Sequence, residues 1–138
     1  MLRAKASSYG LLAVYEIARE YNVGTRTGGV RASDITRKYR LPKAYTAKIL
    51  SQLANCGVLN SDRGPRGGFR LSRAPEHISL FDILRGVGSL QGDDADEKSG
   101  PALPSGLDEV VRKTSDTAQQ RLRDVYEKTT VADMLKAG

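Results

Sequence analysis

Residues 63–69 read RGPRGGF and lie between two short apolar runs, Val58-Leu59 and Phe69-Arg70-Leu71, directly after a helix-like segment that ends at Gly57. That order describes a helix feeding a glycine-bent β-hairpin with arginine at its tip. Glycine supplies the positive φ angles that a tight hairpin needs, and Gly67-Gly68 can turn a strand back where a side chain would clash. An arginine at such a tip is free to reach a narrow, negatively charged groove. Taken alone, the peptide reads equally well as a solvated turn. What precedes it favours a DNA-binding wing. Residues 33–39 form a short helix, and Pro42 forbids helix at Leu41 while suiting the first turn of a new one. From 42 to 55 the chain reads PKAYTAKILSQLAN. There Ile49, Leu50 and Leu53 can face a core, while Lys43, Ala44, Ala47, Lys48, Ser51 and Gln52 occupy the opposite arc. Gly57 then caps the helix. Short helix, tight turn, amphipathic helix and hairpin together spell a winged helix-turn-helix.

The flanks complete a mainly α chain with a small β-hairpin. Residues 7–21 set Leu11, Leu12, Val14, Tyr15, Ala18 and Tyr21 mostly on one side of a 3.6-residue period, with Ser7 or Ser8 as N-cap. Residues 24–29 read as a loop, and residues 78–87 as a further helix with Ile83, Leu84 and Val87 inward. Residues 88–106 mix acidic residues with Gly, Pro and Ser and read as a mobile loop. Beyond it, Leu107, Val111, Thr114, Ala118, Leu122 and Val125 recur at alternating steps of four and three. A seam that narrow suits a long dimerisation helix pairing with its copy in a second subunit, the alternative being an intramolecular core helix. Residues 131–135 fold back as a final turn. The expected organisation is a DNA-binding domain over 1–87, a flexible acidic loop over 88–106, and a dimerisation helix with tail over 107–138.

Charge agrees with the hairpin. Residues 1–75 hold 14 Lys and Arg against 4 Asp and Glu, a net of +10, whereas the remainder carries a net of −4. Clustered cations release condensed counterions on meeting a polyphosphate, so double-stranded DNA is the expected partner. A membrane is not expected, since no apolar run approaches a spanning length and no basic amphipathic helix has a large apolar face. The single cysteine excludes an intramolecular disulfide framework and points to a reducing cytoplasm. RGPRGG lacks the Lys-Ser/Thr of a phosphate-binding loop, and one His with one Cys leaves no catalytic constellation, so an enzyme is not expected.

The segments KASSYGLLAVYEIA, LPKAYTAKILSQLANCGVL and RGPRGGFRLSRAPEHISLFDILRGV, with a long helix after an acidic loop, resemble the Rrf2 family of bacterial winged-helix regulators, of the IscR, NsrR and CymR type. The wing run is the most specific part: the glycine turn, then F-R-L, A-P-E-x-I and D-I-L-R. The resemblance implies a homodimer on a pseudo-palindromic operator. It places Pro42, Ala44, Tyr45 and Thr46 at the end of the recognition helix that enters the major groove, with Lys43 and Lys48 on phosphates. Tyr45 can donate to a phosphate, or it is a half-buried core aromatic. Arg63 matches the family's wing arginine and is expected in the minor groove. Arg66 stands where the family usually has glycine and adds a cation, and Ala47 lacks the carboxylate that tunes operator choice in some members.

Many members hold an iron–sulfur cluster on three cysteines before the dimerisation helix, and thiolates are the ligands such clusters need. Residues 88–106 contain neither Cys nor His; the one Cys is Cys56 and the one His is His77. No cofactor and no metal are therefore expected. Asp93, Asp94, Asp96 and Glu97 lack calcium-loop spacing and read as a solvated loop. Cys56 reads as a buried structural cysteine ahead of a redox switch, and His77 as a surface residue. The expected function is transcriptional repression, answering to a small molecule bound between the recognition domain and the dimer helices or to a protein docked on the dimer. The alternative is a winged-helix module that binds protein.

Overall fold

The computed structural model describes residues 2–23, 29–62, 67–88 and 100–138. Helix α1 (Lys5–Val23) packs on helices from both halves of the chain and on the hairpin. Its core stripe is Ala13, Val14, Ile17 and Ala18. Leu11, Leu12 and Tyr15, expected on that stripe, are only half-buried, because the inward face is centred on Ala13, Val14, Ile17 and Ala18 and these three lie at its edges. The helix begins before Ser7, which lies buried inside its first turns, so neither Ser7 nor Ser8 is the N-cap; the Ser8 N–H donates instead to the Ala4 carbonyl at 2.9 Å.

Helix α2 (Ala32–Tyr39) starts where the Arg31 N–H donates to the Asp34 carboxylate at 3.1 Å. It stops at Arg40, whose φ of 54° and ψ of 48° are left-handed, a conformation that costs a side-chain-bearing residue roughly 1–2 kcal/mol. Leu41 donates back to the Thr36 carbonyl at 3.0 Å, and extended Pro42 leads into α3 (Lys43–Asn55). Ile49, Leu50 and Leu53 of α3 are buried, as the periodicity predicts. Gly57, at φ +86°, ends the helix: its N–H donates to Ala54 at 3.2 Å and that of Val58 to Leu53 at 3.0 Å, which satisfies the last carbonyls.

Strands β1 (Leu59–Asp62) and β2 (Gly68–Leu71) form the antiparallel hairpin, in a register pairing Leu59 with Leu71 and Ser61 with Phe69. Gly68 is not in the positive-φ region expected of it. Its need for glycine is close approach: a Cβ there would lie 2.7 Å from the backbone of Gly29, and a Cβ on Gly29 would meet the Phe69 nitrogen at 2.7 Å. That approach lets Val30 bridge β2 from its free side, Val30 N–H to Phe69 O at 2.9 Å and Phe69 N–H to Val30 O at 2.7 Å. The segment before α2 thus completes the sheet, a pairing that sequence alone did not suggest.

A single 3-10 turn (Pro75–His77) precedes α4 (Leu80–Gly86), which Ser79 caps in a reciprocal box with Asp82. Ile83, Leu84 and Val87 are buried as expected. Helix α5 (Ser105–Lys128) then runs 24 residues without burying one of them. The intramolecular core-helix reading of its seam is thereby excluded. Exposed Glu109–Lys113 and Arg123–Glu127 pairs at i,i+4, both at 2.8 Å, fit a solvated helix. Arg123 lies 4.8 Å over the Phe81 ring, where α5 meets α4. The tail forms α6 (Val131–Ala137), capped by Thr130 with Asp133 and packed on α1 and the 3-10 turn. Its entry is stitched to the segment before α4, Leu80 N–H to Thr129 O and Val131 N–H to Ile78 O, both at 2.8 Å. Val131 is fully buried, so the final residues share the core of the N-terminal part.

Candidate nucleic-acid interface

Helix α3 is anchored by its apolar face and leaves Pro42, Lys43, Ala44, Ala47, Lys48 and Ser51 exposed. Two lysines and small side chains on one free arc let a helix approach a groove closely while cations meet its phosphates. Thr46 does not belong to that arc. It is only 1% exposed, and its Oγ1 is buried without a hydrogen-bond partner, because the helical phase that sends Ile49, Leu50 and Leu53 inward takes Thr46 with them. Tyr45 sits at the boundary, half-buried, its ring edge-on to Tyr9 at 4.8 Å between centroids.

Lys5 lies over the same ring, its Nζ 4.3 Å from the centroid. An exposed cation from the start of α1 therefore stands beside the first turn of α3. Sequence reasoning missed it, since 40 positions separate Lys5 from Tyr45 and the packing of α1 on α3 is what brings them together.

The setting of α2 against α1 is fixed by a buried carboxylate. Glu16 accepts from Lys38 Nζ at 2.6 Å and Tyr39 Oη at 2.6 Å, and pairs with Arg19 at 3.5 Å. Burial works to raise the Glu16 pKa, but the bonds from Lys38 and Tyr39 and the charges of Lys38 and Arg19 outweigh it and hold the carboxyl below its usual range. Tyr39 is pushed up by burial and by its bond to Glu16. The cleft beside this cluster, about 290 Å³, is lined by Glu16, Glu20, Val30, Asp34, Arg37 and Lys38; it lies along α1 and α2, away from the place expected for an effector.

The wing tip, with Arg63 and Arg66, lies outside the described residues, as do Asp93, Asp94, Asp96 and Glu97. At the described base of the wing, Arg70 pairs with Asp62 across the strands at 2.7 Å. On α5 the seam lies open: Leu107 is 51%, Val111 48%, Leu122 40% and Val125 60% exposed, with Thr114 and Ala118 exposed between them. Cys56 is exposed rather than buried, because it follows the last turn of α3. No helix among the described residues is long and apolar enough to cross a membrane.

A short helix, a tight turn, a lysine-bearing recognition helix and a hairpin continuing from its end define a winged-helix protein of the kind that binds DNA to regulate transcription. A family profile described as iron-dependent transcriptional regulator, Rrf2, matches residues 3–137, and the chain belongs to that family. An Aquifex aeolicus protein classed among HTH-type transcriptional regulators is 27% identical over 125 residues, covering 86% of this chain and 84% of that protein. The chain spans about half the length of two other curated relatives. The structure of CymR, described as the global cysteine regulator of B. subtilis, matches in fold with a TM-score of 0.72 at 24% identity, over 100% of this chain and 99% of that one. T. potens IscR matches with a TM-score of 0.69 at 25% identity, over 97% and 85%. The family is one of regulators, not enzymes.

The family description names iron, and the donor set of this chain does not fit an iron–sulfur cluster. Cys56 is the only thiol in the sequence, and it points its Sγ at the Leu53 carbonyl, 3.2 Å away. Among the described residues no group of three His, Cys, Asp or Glu is placed to hold a metal ion.

Proposed function

We propose that the protein is a homodimeric repressor that binds a pseudo-palindromic operator and answers to a signal other than an iron–sulfur cluster. The observation that carries the reading is the joint placement of Lys43, Lys48 and Lys5 around the free end of α3, with the hairpin leaving the other end of the same helix. In this reading the N-terminal turns of α3 enter the major groove. Pro42, Ala44 and Ala47 allow close approach, Tyr45 packs on the sugar backbone, and Lys5, Lys43 and Lys48 neutralise phosphates. Arg63 reaches the adjacent minor groove, and Arg66 adds a backbone contact.

The open seam of α5, Leu107 to Val125 at heptad-like spacing, pairs with the same seam of a second subunit and sets two α3 helices on successive turns of the duplex. A dimer so seated excludes polymerase from a promoter, which is the basis for reading it as a repressor. The missing thiolates support a different signal, either a small molecule near the dimer helices or a docked protein.

The test is enrichment of fragmented genomic DNA by the purified protein at two salt concentrations, with Arg63→Ala and Lys43→Ala/Lys48→Ala in parallel. The reading expects a two-fold-symmetric site, weakened by salt and by each variant; the double lysine variant loses two phosphate contacts in each subunit, about four in the dimer, and lowers the salt slope by roughly 4. Salt-insensitive retention unaffected by the variants would instead mark a protein-binding module.

A further inference from the structure

We infer that Arg73 is a positioning residue for DNA binding, holding the wing at one angle to the recognition helix so that both meet the duplex together. The inference rests on the proposed reading that the wing contacts DNA. A two-stranded hairpin is marginally stable alone, so its direction comes from what holds it: α1 and the Val30 bridge grip β2 along its length, and Arg73 ties its base to α3 and α4. Arg73 stands two residues after β2 ends at Leu71, and its guanidinium reaches back to the start of the hairpin. Its Nη1 donates to the carbonyl of Gly57, the residue at which the chain leaves α3, at 3.0 Å, and to Ser72 Oγ at 3.1 Å. Its Nε donates to the His77 carbonyl of the 3-10 turn at 2.7 Å. Its Nη2 pairs with Asp82 Oδ2 at 3.0 Å. That same Asp82 oxygen accepts the Ser79 N–H at 2.9 Å in the cap of α4, so the anchor is itself held.

All three guanidinium nitrogens are therefore engaged, on acceptors from the exit of α3, the 3-10 turn and the start of α4. A planar fork with donors in fixed directions can set an angle between elements, whereas a lysine ammonium can satisfy one or two of these acceptors without fixing their geometry. The Arg73 and Asp82 side chains are 38% and 21% exposed, so solvent weakens the attraction of the pair and leaves its directionality as the main effect. With its donors turned onto the protein, Arg73 is not presented to a phosphate. It differs in this from Lys5, Lys43 and Lys48.

The experiment measures affinity of the full chain for the duplex that wild-type protein enriches most from a random double-stranded library, with thermal unfolding recorded for every variant. Arg73→Ala and Arg73→Lys are each expected to weaken binding about tenfold, the scale of losing charge-assisted hydrogen bonds. Asp82→Asn, which keeps an oxygen for the Ser79 N–H, is expected to weaken it several-fold and serves if Arg73→Ala does not fold. In an Arg63→Ala background these losses are expected to shrink severalfold, because the contact being positioned is gone. Full affinity in Arg73→Lys would mean that Arg73 acts as a charge, and losses undiminished without Arg63 would mean general destabilisation; either overturns the inference. If Arg63→Ala weakens binding and the Arg73 and Asp82 variants do not, the inference alone fails. If Arg63→Ala binds as tightly as wild type, the wing reading fails and takes the positioning role with it.

Discussion

Arg40 and Glu16 show how single side chains set the helix-turn-helix. Arg40 holds a left-handed conformation at the end of α2 that glycine adopts without strain. Arg40→Gly is expected to raise stability by about 0.5–1 kcal/mol in urea unfolding, since relief of strain exceeds the added freedom of the unfolded chain. Glu16→Gln is expected to cost about 1–2 kcal/mol at neutral pH by weakening the charge-assisted bond from Tyr39. The sign of its pH dependence follows from a carboxyl held below its usual value of 4.5. The contribution of Glu16 is complete above that pH and is lost as pH falls through the lower folded-state value. Unfolding free energies of the two proteins should therefore converge on acidification, and a constant gap would contradict the assignment. Neither residue could be singled out from sequence. A glutamate within an amphipathic helix reads as solvated until α2 is seen to bring Lys38 and Tyr39 onto it; the burial of Thr46, by contrast, was legible, since it lies three, four and seven residues before Ile49, Leu50 and Leu53 on the same helical face.

At the scale of elements, local patterns were enough where the cause is local. The spacing of Ile49, Leu50 and Leu53, the glycine at 57 and the strands flanking the wing all follow from neighbours a few residues apart, and the structure has them. The Val30–Phe69 bridge, the placing of Lys5 beside Tyr45 and the guanidinium clamp at Arg73 join segments distant in sequence, and nothing in composition or periodicity predicts them. The glycines at 29 and 68 carry a clear expectation. Gly68→Ala forces a Cβ to within 2.7 Å of backbone, which has no flexible side chain to yield. It should open the Val30–Phe69 bridge and cost about 2 kcal/mol or more, the scale of overpacking a close contact. Hydrogen exchange at the Val30 and Phe69 amides reads this directly; unchanged protection would mean that the approach is not a constraint.

For the whole molecule, the open seam of α5 is the feature that most needs a partner, and its pairing is tested by charge. Leu122→Glu with Val125→Glu places like charges on the proposed axis and should turn a dimer into a monomer in sedimentation at micromolar concentration, with helix content kept; an unchanged mass would place the interface elsewhere. The return of the chain after α5 has a further consequence, for synthesis. Val131 belongs to the buried core, on an element packed against α1 and the 3-10 turn, and the strand-like step at Thr130 joins Ser79. A ribosome that has released the wing and both helices of the helix-turn-helix has therefore not yet released the whole of the core. The core position at residue 131 is thus filled last during synthesis, after every other buried apolar residue, from Ala13 to Val87, has been made.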